Sequence, residues 1–404
     1  MSEQTEFQPT RAAALETLSR FVPHAGRSYA ARRNHDMGPG RHNAVSGLSP
    51  YIRHRVLTEE EVLAAVLGRH SAQAAEKFLQ EVYWRTYWRG WLEMRPAVWT
   101  AYQADLRRAL DAVQTQGTLR ARWEDACLGQ TGIDCFDAWA RELAQTGYLH
   151  NHARMWFASI WIFTLRLPWE LGSDLFLRHL LDGDPASNTL SWRWVAGLQT
   201  PGKTYLARPD NIATYTEGRF RPAPSTLATT APPVDGPPPP PRRALPSPAR
   251  FDPARRTAFA LHEDDLSPGW LLDQGLSPAA TALLGASARL SPLLVAPQVT
   301  DFRRALLQET ATRWHDRLGP LSGPVETAEQ MTDWARNLGA EQIVTAYAPV
   351  GPVAEVLSQV TDVPIVQVMR PYDAQAWPHA TAGFFKFKDQ IPRLLGQIKG
   401  LTLA

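Results

Sequence analysis

The chain has 404 residues, 44% hydrophobic and 20% charged, which leaves room for two or three domains that each bury a core. Its 42 basic residues stand against 40 acidic ones, so no bulk charge points to a nucleic-acid partner and any such surface is a local patch. Two cysteines, Cys127 and Cys135, exclude a disulfide framework and any four-thiolate iron–sulfur or zinc site, and no metal is expected.

The N-terminus MSEQTEFQPTR has no apolar secretory core, and no uninterrupted apolar run reaches about 18 residues. No signal, no membrane partner, reduced thiols and a cytoplasmic location are therefore expected. The basic residues are mainly Arg, which suits bidentate phosphate contacts, although a GC-rich genome gives the same bias. Of 15 tryptophans, 11 fall before residue 200, the mark of an aromatic core and occasionally of a pigment or an electron path.

In chain order, residues 9–21 predict an amphipathic helix with Ala13, Leu15, Leu18 and Phe21 near helical spacing. An Arg- and Gly-rich loop follows, then short helices that include EEEVLAAVLGRH. A long helix is expected over SAQAAEKFLQEVYWRTYWRGWLEM, ending before Pro96. ADLRRALDAV predicts another, and FDAWARELAQTGYLHNHARMWFASIWIFTLR a further helical run interrupted at Gly147. Nothing up to about residue 200 alternates like a strand, so this half is expected to be all-α. Residues 222–250 are dense in Pro and read as an extended spacer. From 251 on, the apolar runs TAFALH, LLVAP, QIVTAY and IVQVM predict buried strands between helices TDFRRALLQETATRWHDRL, TAEQMTDWARNLG and VGPVAEVLSQV, hence a parallel-sheet α/β domain. No GxGxxG or GxxxxGK[ST] supports a nucleotide there.

The stretch from His150 to Trp194 organises the chemistry. HNHARM and DGDPASN set charges and amides on segments otherwise apolar enough to be interior, which is costly unless something satisfies them. Arg154 with Asp182 and Asp184 reads either as an ion-pair network between helices or as a bracket around a heteroaromatic ring. Asn188 reads as a helix cap or as an amide against a ring nitrogen. Glu81, Trp84 and Arg85 share one helix face, either as ordinary surface and core or as cavity lining.

Taken together these residues resemble, in order and spacing, the FAD-binding helical domain of the DNA photolyase/cryptochrome family. Tyr29 to Arg33 and Ser46 to Tyr51 are similar to its Y-x-x-x-R and TSRLSPYL segments, and Glu81 to Arg85 to its E-L-x-WR. Gly129-x-Thr131-Gly132, Asp137-Ala138 and Gly147-x-x-His150-Asn151-x-x-Arg154-Met155 are similar to its G-x-TG, DA and G-x-xHN-x-xRM elements, and Asp182-Gly183-Asp184, Asn188, Trp192 and Trp194 complete the set.

The resemblance implies FAD as cofactor, held by Tyr29, Ser46, Leu48 and Ser49 at its phosphates and ribityl chain, by Arg154, Asp182 and Asp184 around its rings, and by Asn188 beside the flavin N5. A second antenna pigment is left open. It implies DNA with pyrimidine dimers as partner, single-stranded DNA being one expected form, bound by Glu81, Trp84, Asn151, Met155 and Trp194, with Arg33 and Arg85 on backbone phosphates. Trp192 and Trp169 are in register with the family's tryptophan relay. Its outer position falls near Gln116, with Trp123, Trp139 and Trp161 as substitutes. Val45 and Gly47 stand where the family has Thr and a basic residue, for which Arg41, His42 or Lys203 would compensate. His152 replaces a frequent Arg.

The expected organisation is thus an all-α photolyase-like FAD-binding domain over 1–222, a Pro-rich linker over 223–250, and a Rossmann-like α/β domain over 251–404. TAFALHEDDLS and WPHATAGFFKFKDQIPRLL resemble the family's antenna domain, which in the family precedes the helical one. Light-driven dimer repair is the leading expectation. A cryptochrome-like blue-light receptor without repair and a flavin-free DNA-binding protein are the alternatives.

Overall fold

The computed structural model describes residues 7–398. The first half is helical: α1 (Arg11–Phe21), α2 (Arg27–Arg32), α3 (Ser49–Arg53), α4 (Glu59–Leu67), α5 (Glu76–Glu93), α6 (Ala97–Thr115), α7 (Gly117–Leu128), α8 (Asp134–Thr146), α9 (Asn151–Ser159), α10 (Trp169–His179), α11 (Pro185–Val195) and α12 (Pro209–Tyr215). Local chemistry sets the boundaries that matter for the site. Thr58 and Glu61 close a capping box on α4, each satisfying an end donor of the other. Gly147, at φ 68°, ends α8 in a left-handed turn that a residue with a Cβ adopts only at a cost. Three residues on, His150 Nδ1 accepts the backbone N–H of His152 and caps α9. α9 runs into a five-residue π-helical turn, Ile160–Thr164, a distortion often found beside functional sites. Asp184 caps α11 and Pro185 opens it, so DGDP is a helix start as well as a set of charges.

Two expectations shift here. The long helix begins at Glu76, residues 71–75 forming turns instead, and α7 was not foreseen: only Leu119 and Ala126 of GTLRARWEDACL are buried, so it shows little periodicity.

The second half holds β1 (Thr257–His262), β2 (Ala280–Leu284), β3 (Leu321–Val325), β4 (Gln342–Ala346) and β5 (Ile365–Val368) in one parallel sheet of order β3-β2-β1-β4-β5. Phe259 pairs with Thr281 on one side and Val344 on the other, so β1 is central and buried throughout. TAFALH, QIVTAY and IVQVM do carry strands. LLVAP does not: it is loop leading into the helix Pro297–Arg313, with Leu294 exposed. The strands not foreseen are ATALL, short and Ala-rich, and LSGPV, an edge strand with Gly and Pro and little burial.

Between the halves, residues 222–250 form no helix or strand and lie along the helical half. The Val234 N–H donates to the Ala196 carbonyl (3.0 Å) and the Arg243 N–H to the Met94 carbonyl (2.8 Å). The acidic turn at the carboxyl end of β1 is driven into the helical half. Asp264 pairs with Arg53 (2.7 Å) and Asp265 with Arg55 (3.5 Å), which also holds Asp373 (2.7 Å), while Glu263 pairs with Arg303 of its own half (3.1 Å), all of them buried.

Candidate cofactor and substrate cavity

A cavity of about 660 Å³ opens in the helical half, within the size range of ligand sites. Helix α5 turns Glu81, Trp84, Arg85 and Trp88 to it, three and four residues apart and so on one face. Helix α9 contributes Asn151, His152, Arg154 and Met155, while α11 contributes Ser187, Asn188, Ser191, Trp192 and Trp194. Tyr29 and Arg33 from around α2, Ser46 and Ser49 from the start of α3, and Asp182-Gly183-Asp184 close the wall. The polar groups scattered over the sequence from Tyr29 to Trp194 thus converge on one space.

The Arg154 guanidinium binds Asp182 at 2.9 Å and its Nε donates to the Leu149 carbonyl at 2.8 Å. Burial pushes the Asp182 carboxyl up, but Arg154 and Arg85 outweigh it and hold the group below its ordinary value, charged. Asp184 is likewise buried, and Arg89, Arg53 and Arg85 together hold it far below the usual carboxylate range. Its oxygens are committed to Arg89 (2.8 Å), Arg53 (3.4 Å) and the backbone N–H of Ser187 (2.8 Å). Asp184 thus stiffens the cavity floor: the ion-pair network is present, and Arg154, Asp182 and Asp184 also line the cavity. The Asn188 amide donates to the carbonyl and to Oγ of Ser173, each at 2.9 Å, which fixes its orientation at the wall.

Elsewhere in the lining, Arg33 and Glu81 form an ion pair. Burial raises the Glu81 carboxyl and Arg33 pulls it back. Trp84 stacks on Phe384, ring centroids 3.6 Å apart and planes at 11°, and Trp194 stacks on Tyr205 at 5.7 Å. His152 binds the Asn34 carbonyl at 3.0 Å through Nδ1 and stacks on Trp156 at 4.0 Å.

Arg85 was expected on a backbone phosphate of DNA. It is interior instead: burial lowers its guanidinium to about 10, still a cation at neutral pH, with Asp184 the first group opposing that shift. Its Nη1 is buried and has no hydrogen-bond partner, as are Ser187 Oγ and Trp192 Nε1, and all three residues line the cavity. Unpaired buried donors are costly, and these three, beside the unpaired Asp182 Oδ1 acceptor, suit a ligand that offers acceptors and a donor. A flavin dinucleotide, with a diphosphate and two ring systems, meets that demand, so the residues present fit it.

Other expectations are corrected by position. Leu48 is fully buried in the core and does not line the cavity; its N–H meets Ser46 Oγ at 3.3 Å. Trp169, expected in the relay rather than in the lining, packs on Tyr102 at 5.6 Å. None of Arg41, His42 and Lys203 lines the cavity, and His42 is held by Glu142 at 2.8 Å. Of the three candidate relay residues, Trp161 is the one in ring contact with Trp192, at 6.2 Å, while Trp139 stacks on Trp156 at 5.4 Å. Asp36, His42 and Glu142 bring possible metal-ligand atoms within 4.8 Å of one another, but Arg219 at 2.6 Å and the Trp139 indole at 2.8 Å already occupy Asp36. No helix among the described residues is long and apolar enough to cross a membrane.

The fold and the cavity define a helical cofactor-binding domain joined to a parallel-sheet α/β unit. Residues 78–218 match the family model described as the FAD binding domain of DNA photolyase, the family that the motifs resemble. Relatives include a deoxyribodipyrimidine photo-lyase of Thermus thermophilus, 34% identical over 206 residues that cover 49% of this chain and 45% of that protein. That of Vibrio cholerae is 31% identical over 172 residues, covering 40% and 35%. The chain therefore spans less than half the length of these relatives. Among solved structures, a class III photolyase of Agrobacterium tumefaciens is similar at 27% identity and TM-score 0.43, covering 53% of this chain and 44% of that one. A cryptochrome of Synechocystis is similar at 25% identity and TM-score 0.42, covering 52% and 44%.

Proposed function

We propose that the protein is a light-dependent, FAD-containing enzyme of the photolyase type that splits cyclobutane pyrimidine dimers in DNA, with single-stranded DNA among its substrates. The observation that carries this is the cavity itself, lined by the unpaired Arg85 cation, the Arg154–Asp182 pair, and Glu81, Trp84, Asn151, Met155 and Trp194. When bound, reduced FAD supplies the light-driven electron that opens the dimer.

The chain's own residues do the remainder. Arg85 neutralises cofactor phosphate, and Tyr29, Ser46 and Ser49 offer hydroxyls beside it. Asp182, kept ionised by Arg154, accepts from a ring N–H, and Asn188 presents an oriented amide to the ring edge. The indoles of Trp84 and Trp194 are stacking platforms for a flipped-out dinucleotide, which a damaged pair releases cheaply. Glu81, raised by burial, is suited to hydrogen-bond the dimer's base edge, and Arg33 steadies it. We assign residues 1–222 to the FAD-binding domain, 223–250 to a spacer and 251–404 to an antenna-type domain placed after it. The doubly wound strand order β3-β2-β1-β4-β5 supports that last assignment.

The test is to illuminate the purified, reduced protein with dimer-containing oligonucleotides, single- and double-stranded, and count intact dimers. Loss of dimers in the light alone is expected. A yellow protein that leaves every dimer intact would make it a receptor of the cryptochrome kind.

A further inference from the structure

The cavity belongs to the helical half with one exception. Phe385, about 300 residues distant in sequence from Trp84, also lines it. It lies on the short helix Phe384–Lys388, whose Phe384 and Phe387 are buried while Phe385 is 81% exposed. The other exposed large apolar side chains among the described residues are leucines, none of which lines the cavity. The backbone bearing Phe385 is clamped in place: Phe384 stacks flat on Trp84, and the Tyr87 hydroxyl donates to the Ala382 carbonyl at 2.7 Å. Beside it, Lys386 is exposed, and Lys388 is paired with Glu76 at 3.0 Å. A rigidly mounted, solvent-facing aromatic at the cavity's edge, next to an unpaired lysine, has the chemistry of a nucleic-acid contact rather than of a core.

We infer that Phe385 is a stacking wedge for the DNA strand. It packs against the base next to the lesion drawn into the cavity, and Lys386 meets the adjoining phosphate. This rests on the proposed function, since a base withdrawn from a stack leaves a gap that an aromatic side chain fills. The α/β half thereby contributes directly to substrate binding.

Binding measured in the dark separates the two ideas, using an oligonucleotide with one thymine dimer, the isolated dimer dinucleotide, and the undamaged oligonucleotide. Phe385→Ala should weaken the damaged oligonucleotide roughly tenfold, the order expected for one lost base stack. It should change the dinucleotide, which has no neighbouring base, less than twofold, and Phe385→Trp should restore the oligonucleotide. Lys386→Gln should lower the salt dependence of oligonucleotide binding by about one counterion, a slope that Phe385→Ala leaves alone. Equal losses on both probes would make Phe385 a mere wall of the cavity, and no loss on the oligonucleotide would remove it from binding; either overturns the inference. Wild-type protein that binds damaged and undamaged probes alike would sink the proposed function, and the wedge with it.

Discussion

At the scale of single residues, Asn188 and Arg85 carry the most testable roles. Asn188→Asp loses two donated hydrogen bonds and sets a carboxylate oxygen against the Ser173 carbonyl, at a cost of about 1–3 kcal/mol. A lower melting temperature is expected, together with a lower reduction potential of bound FAD, because a negative charge beside the ring disfavours added electrons. An unchanged potential would contradict the placement of Asn188. Most cavity residues were legible in the sequence because HN-x-x-RM and DGD-x-x-x-N put polar groups on helices whose periodicity fixes a common face. The depth of Arg85 was not, since it depends on Arg53 and Asp184 approaching from two other segments beside Arg89 on its own helix. Phe385 was not either. Its place at the cavity is a contact across the whole chain, with no local signal.

At the scale of elements, the approach of α10 to α11 shapes the inner wall. A Cβ built on Gly172 would lie 2.3 Å from the buried Trp192 ring and 2.9 Å from Trp161, so neither indole has room to yield. Gly172→Ala gains about 1 kcal/mol in helix propensity but overpacks by roughly 1–3 kcal/mol or more. We predict a net loss of thermal stability and a displaced Trp192, read from its fluorescence; a variant as stable as wild type with unaltered emission would show the contact to be loose. Helices with an apolar stripe, such as α5, and strands of continuous apolar residues, such as β1 and β4, were legible. LSGPV was passed over because edge strands need little apolar side chain, and LLVAP misled because its run is apolar although only Val295 of it is buried.

At the scale of the whole molecule, the two halves are joined by buried charge. Arg55 alone faces Glu59, Asp265 and Asp373, so Arg55→Ala leaves carboxylates unpaired in the interior and should cost about 3–5 kcal/mol in an unfolding titration. Nothing in the sequence tells which Arg meets which acid, because the pairing is between halves. Glu93, where the Pro-rich strap and the sheet both touch the helices, is pushed up to about 7 by burial, against the hydrogen bonds of Val350 and Tyr347. A carboxyl raised above its unfolded value contributes stability fully at low pH and loses it as pH rises through the folded value. The unfolding free energy should therefore fall between about pH 4.5 and 7, and Glu93→Gln should flatten part of that decline. A variant with the wild-type slope would place the Glu93 carboxyl near its ordinary value.

The roles given to the cavity residues presuppose a flavin there. The direct measurement is the stoichiometry of FAD released by denaturing the purified protein after saturation with FAD, compared with Arg85→Ala. About one FAD per chain in the wild type and a marked loss of retention in Arg85→Ala are predicted. A wild-type protein that holds no flavin even when saturated would contradict the account.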